Sequence, residues 1–150
     1  MSSFKVVPNS EGAAPHFAIT CGLREGYCPN AKLHTADEVV KLVEAHLKKC
    51  AASGLLPYLT GSVTTGEVVY AWPEGDGKAG SGHESQATYG GEKNPLYNSS
   101  LTDEQIVQFL SELASELGEA LGQTRVYVAY NGGMRILQRE DTATPTGEKA

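Results

Sequence analysis

Glu84 stands between His83 and Ser85, immediately after a ten-residue stretch that holds four glycines, Pro73-Glu74-Gly75-Asp76-Gly77-Lys78-Ala79-Gly80-Ser81-Gly82. An ionised carboxylate accepts hydrogen bonds and donates none, so at the start of a strand it suits a ribose diol or a cation. On composition alone the commoner role is a solvated acid at a sheet edge. Gln123 precedes a β-rich run, where its amide can both donate and accept, or can cap a helix end. Six aromatic residues, Tyr58, Tyr70, Trp72, Tyr89, Tyr127 and Tyr130, fall near the predicted strands. Their ring faces suit adenine stacking or a cation, although most such rings serve a core or an interface.

Other chemistries lack their signatures. The glycine-rich stretch has no G-x-x-x-x-G-K-[ST] order and no helix directly after it, so a phosphate cradle gives way to a mobile hairpin loop over 73–83. No G-x-S-x-G marks a nucleophile elbow. Cys21, Cys28 and Cys50 are odd in number and show no C-x-x-C pairing, even with His16, His34, His46 and His83 as possible additions. Closed zinc sites usually pair their ligands closely in sequence, so no metal and no cofactor is expected, and the thiols read as buried or idle.

The elements that must hold these residues follow from periodicity. His16 to Leu23 alternates Phe17, Ile19, Cys21 and Leu23 with small residues, the pattern of a half-buried strand. Thr35 and Glu38 form a capping box ahead of Val39, Val40, Val43, Leu47 and Cys50, which predicts a helix over 36–52 ending near Gly54. An extended stretch over 58–66 leads into a strand over 67–72 with Val68, Tyr70 and Trp72 on one face, and 83–90 reads as a weaker strand. Thr102 and Gln105 cap a second helix striped by Ile106, Phe109, Leu110, Leu113, Leu117 and Leu121, with Gly122 at its end. A strand over 125–130, an Asn131-Gly132-Gly133 turn and a short returning strand complete the order. The result is an α+β fold, a ferredoxin-like βαββαβ two-layer sandwich with an extra C-terminal strand. Residues 1–15 read as an N-terminal arm, 16–138 as the domain and 139–150 as a flexible C-terminal tail.

A chain of 150 residues with 40% hydrophobic and 20% charged content can bury a single core. With a net charge of −6 and no Lys/Arg cluster, nucleic acid is a poor partner. No apolar run approaches the ~20 residues of a membrane helix. Met1-Ser2-Ser3-Phe4-Lys5 lacks the apolar centre of a signal peptide, so a cytoplasmic location is expected. One sheet face is left without helices, and its small and aromatic residues predict an oligomer.

On these placements the chain resembles the phage-encoded S-adenosylmethionine lyases (SAM hydrolases), within the trimeric ferredoxin-like group. The resemblance covers roughly residues 16–138 and rests on order and spacing. It is carried by Tyr58 with Gly61-Ser62-Val63, by Tyr70 in the next strand, by Glu84 opening the strand after it, and by Gln123-Thr124-Arg125-Val126. A family of uncharacterised bacterial proteins shares the late Glu and Gln-x-x-Val pattern. The resemblance implies cleavage of S-adenosylmethionine to methylthioadenosine and homoserine lactone by attack of the substrate's own carboxylate, an anti-restriction activity in the host cytoplasm. It implies a homotrimer with ligand between subunits, Glu84 in the catalytic position, and Tyr58, Ser62, Tyr70 and Gln123 against the substrate. The chain is also similar to PII and CutA trimers. That likeness implies a non-catalytic module binding a nucleotide-type effector, but the basic residues PII proteins turn to phosphates are missing.

Overall fold

The computed structural model describes residues 2–26 and 30–140, so Cys28 and residues 141–150 of the expected tail lie outside the described residues. Seven elements follow in the order β1 (His16–Gly22), α1 (Ala36–Ser53), β2 (Ser62–Gly75), β3 (Lys78–Glu92), α2 (Asp103–Ala120), β4 (Arg125–Tyr130) and β5 (Gly133–Gln138). The strands form one antiparallel sheet in the order β2-β3-β1-β4-β5. Because β3 pairs antiparallel with both β1 and β2, those two run parallel with β3 inserted between them. That is the split βαβ arrangement, and the expected ferredoxin-like sandwich with its extra strand is what forms.

Both helices begin as their sequences dictate. The Thr35 hydroxyl accepts from the Glu38 amide at 3.2 Å while the Glu38 carboxylate accepts from the Thr35 amide, and Thr102 with Gln105 repeats the exchange. Each box satisfies amides that the first helical turn would otherwise leave open. Gly54 ends α1 at φ 70° and Gly122 follows α2 at φ 63°, conformations that cost glycine least. Helix α1 buries Val39, Val43 and Cys50 as expected, but Val40 faces solvent and His46 takes an inward position. Helix α2 buries Ile106, Phe109, Leu110, Leu113 and Leu117 against Phe17 and Ile19 of β1, Tyr89 of β3, and Val126 and Val128 of β4. At ~1.5–3 kcal/mol for each large side chain removed from water, this layer holds the domain together. No described helix is long and apolar enough to cross a membrane.

The middle of the chain departs from expectation. Residues 73–83 are not a mobile loop: β2 runs on to Gly75 and β3 starts at Lys78, joined by a tight two-residue turn. Asp76 (φ 53°) and Gly77 (φ 73°) supply the two positive φ angles a type I′ turn needs, as Asn131 (φ 50°) and Gly132 (φ 86°) do between β4 and β5. Pro73 is tolerated because β2 is an edge strand, where a missing N–H breaks no internal ladder. Gly80 and Gly82 lie within β3, opposite Trp72 and Tyr70. A Cβ on Gly80 would come within 2.5 Å of the Trp72 ring, and one on Gly82 within 3.0 Å of the Tyr70 hydroxyl. Glycine stands at both positions because a ring lies down on the backbone there.

Residues 2–15 hold no helix or strand. At the other end, Arg139 is tied to the sheet: its amide donates to the Thr124 carbonyl at 2.9 Å and its guanidinium reaches the Gln123 carbonyl at 3.2 Å.

Candidate functional site

Strand pairing sorts every residue of the sheet onto one of two faces, because residues directly opposite each other project the same way. Thr64, Thr88, Thr20, Tyr127 and Ile136 form one row across all five strands, on the face away from the helices. The Thr20 and Thr88 hydroxyls in that row share a hydrogen bond at 3.1 Å. Counting in twos puts Glu84, Gln86, Val68, Tyr70 and Trp72 on the same open face.

At the β1/β4 end of the hairpin this face sinks into a cavity of about 620 Å³. Its wall includes Tyr70, Trp72, Glu84, Gln86, Gln123 and Tyr127, with Gly22 beneath Gln123. Three of the residues singled out from sequence, Tyr70, Glu84 and Gln123, therefore meet. The Tyr70 hydroxyl donates to Glu84 Oε1 at 3.5 Å. Burial, and then the neighbouring Glu84 charge, push the Tyr70 phenol above its ordinary range, which keeps its proton in place as a donor. Among the described lining residues Glu84 is the one carboxylate and Arg125 the one cation. Arg125 Nε donates to Gln138 Oε1 at 3.0 Å, so its guanidinium is partly engaged across β4 and β5.

Gln123 is held by its own amide nitrogen, which donates to the Arg24 carbonyl at 2.7 Å and the Leu121 carbonyl at 3.0 Å. Its oxygen lies over Gly22, where a Cβ would stand 2.5 Å away. With the nitrogen committed to the backbone, the carboxamide offers the cavity an acceptor. The loop that supplies the Arg24 carbonyl is pinned by His34, 5% exposed. His34 Nε2 meets Glu25 at 2.8 Å and Nδ1 meets Glu38 at 2.6 Å. The hydrogen bond from His34 holds the Glu38 carboxyl below its usual range. The ring thereby bridges the Glu25 and Glu38 carboxylates and ties the loop to the start of α1.

Tyr58 and Ser62 stand apart from this cavity. They line a separate one of about 880 Å³ with Gly61, Gly90 and Tyr97. Ser62 is on the open face opposite Gly90, at the far end of β2 from Trp72. In one copy of the chain they do not reach Glu84. Trp72 and Tyr127, noted from sequence only among the aromatics near the strands, and Gln86, which was not noted, also join the cavity. Their signal was the two-residue period, since Trp72 follows Tyr70, and Gln86 follows Glu84, by two positions. Cys21 carries no functional sign: burial pushes its thiol up to about 11, out of reach of thiolate chemistry.

The chain is therefore a two-layer ferredoxin-like sandwich whose open sheet face carries a polar and aromatic cavity, a candidate small-ligand site. No family model matches the chain, and no curated protein matches it. Two solved structures do. A phage SAM lyase in complex with S-methyl-5'-thioadenosine is 20% identical, with 93% of this chain and 100% of that chain covered at a TM-score of 0.65. A phage SAM lyase in its apo state is 19% identical over the same shares, at a TM-score of 0.62. The likeness is one of fold along nearly the whole of both chains.

Proposed function

We propose that this protein is an S-adenosylmethionine lyase. What carries the reading is that Glu84, Tyr70 and Gln123, picked out by order along the chain, share one cavity in a fold that is like that of phage SAM lyases over 93% of this chain. In the proposed reaction the substrate carboxylate attacks its own γ-carbon. The new C–O bond closes homoserine lactone as the C–S bond breaks, and the bonding pair leaves on sulfur as neutral methylthioadenosine. A carboxylate and a sulfonium cancel, so no base, metal or external nucleophile enters the balance. Water stabilises the separated charges more than the partly cancelled transition state. A cavity that excludes water and holds the chain folded lowers the barrier. Glu84 takes the ribose diol or the sulfonium, Tyr70 steadies Glu84 by hydrogen bonding, and the Gln123 oxygen orients the substrate's ammonium.

The assembly is a homotrimer with the site shared between copies. In that arrangement Tyr58 and Ser62 of one copy close the cavity of the next, which accounts for their distance from Glu84 within a chain. The biological outcome is removal of the methyl donor used by host restriction–modification enzymes, in the host cytoplasm. A nucleotide-binding PII-like module is the less favoured reading, because its mobile loop is here a paired β-hairpin.

Incubation with S-adenosylmethionine, with methylthioadenosine and homoserine lactone followed by chromatography, tests the chemistry. Wild type should form both and Glu84→Gln should lose at least tenfold in kcat/KM, about 1.4 kcal/mol of transition-state stabilisation. No product above background would sink the lyase, and stabilisation by an adenine nucleotide without turnover would replace it with the effector module. Mixing Glu84→Gln with Tyr58→Ala protein should restore turnover if the sites are shared; two inactive variants that stay inactive after subunit exchange would rule sharing out.

A further inference from the structure

The Tyr70 and Trp72 rings stack along β2 with their centroids 5.9 Å apart and their planes 29° from parallel. Each lies over a glycine of the neighbouring strand, Tyr70 on Gly82 and Trp72 on Gly80, close enough that a single methyl group would displace it. Side chains on a strand ordinarily stand away from the sheet. Here the glycines leave room for both rings to settle against the backbone of β3. Both rings stay about 40% exposed, and both line the cavity that holds Glu84. The face of an aromatic ring is its electron-rich side. The cavity thus sets two half-exposed aromatic rings beside the Glu84 carboxylate, while its one described cation, Arg125, is drawn towards Gln138, a combination that suits a diffuse organic cation.

We infer that the Tyr70–Trp72 pavement, with Glu84 beside it, selects a sulfonium over the neutral thioether that remains after reaction. The inference rests on the S-adenosylmethionine reading and adds to it a specificity-determining residue, Trp72. It also gives product release a physical cause: once the C–S bond breaks, the positive charge that held the ligand to the ring faces is gone. Because sulfur loses charge towards the transition state, the pavement strengthens binding more than it lowers the barrier. Its loss therefore falls on KM, with kcat changed much less.

Two stable probes separate charge from shape: sinefungin, which carries an ammonium where the sulfonium stands, and S-adenosylhomocysteine, a neutral thioether. Calorimetric titration of wild type should favour sinefungin. Trp72→Leu should weaken sinefungin roughly tenfold while leaving S-adenosylhomocysteine within about twofold. Trp72→Phe keeps a ring face and should retain most of the preference. Gly80→Ala keeps Trp72 but lifts its ring, and should lower the preference in the same sense, which covers the case of a Trp72→Leu protein that fails to fold. If Trp72→Leu and Gly80→Ala weaken both probes equally, or leave their ratio unchanged while turnover persists, the pavement does not read charge. If wild type turns over no S-adenosylmethionine and binds neither probe, the lyase reading itself falls, and this inference with it.

Discussion

The two faces of this sheet are built from the same strands and answer to different demands. On the helix side, Phe17, Ile19, Tyr89, Val126 and Val128 are almost completely buried and interlock with α2. On the open side of the same sheet stand Thr20, Thr88, Gln86, Glu84, Tyr70 and Tyr127, partly exposed, with hydrogen bonds joining Thr20 to Thr88 and Tyr70 to Glu84. Tyr89 shows the contrast within one residue type. Its hydroxyl donates to the Leu59 carbonyl at 2.5 Å, and burial pushes its phenol up to about 12. Tyr70, on the same sheet, stays in reach of solvent and turns its hydroxyl to the Glu84 carboxylate. The core tyrosine commits its polar atom to the backbone; the open-face tyrosine turns its own to another side chain of the cavity wall.

This division is open to attack by substitution. The largest stability effect belongs to the helix side: Phe109→Ala should cost about 3–5 kcal/mol of unfolding free energy in a urea titration. Gln86→Ala on the open side should stay within about 0.5 kcal/mol of wild type while lowering kcat/KM of the proposed reaction several-fold. An open-side change as costly as a core one would dissolve the distinction.

Acid should act on the periphery rather than on either face. Hydrogen bonds from His34 and from His83 and Ser85 hold the Glu38 and Glu67 carboxyls down. Glu116 is also lowered, its own burial opposing the shift and Lys49 and His46 outweighing it. A depressed carboxyl adds stability that is present above its unfolded value, near 4.3, and is lost as pH falls through the folded value. Denaturation midpoints should therefore hold steady from pH 7 to about 5 and drop below about 4. His34→Gln should flatten part of that drop. An unchanged acid limb would mean that the His34–Glu38 contact contributes nothing to folding.

What the sequence revealed and what it hid divide along the same line. Capping boxes, helical stripes and the Asn131-Gly132 turn are local, decided by residues within a few positions of one another, and each formed where its pattern placed it. Gly80 and Gly82 were misread because four glycines in ten residues look like a loop. Their reason for being glycine lies in Trp72 and Tyr70 on the next strand. His46 hid for a similar cause: it packs on Phe109 and bonds Glu116, 70 positions away. Spacing along the chain marked Glu84, Tyr70 and Gln123 as candidates, and the fold brings the three to one cavity. That spacing said nothing of how far Tyr58 and Ser62 would stand from them.

The strand order also sets a schedule for making the protein. β1 leaves the ribosome early, yet it occupies the middle of the sheet, and both its neighbours come later: β3 at Lys78–Glu92 and β4 at Arg125–Tyr130. At a synthesis rate of roughly 5–20 residues per second, β1 waits seconds for its first partner and longer for its second. The two hairpins, β2–β3 and β4–β5, close over two-residue turns and form within microseconds of emerging. Assembly is then the capture of an old strand between two newly made ribbons. A nascent chain halted before Arg125 would keep one side of its central strand unpaired, a template for the wrong neighbour.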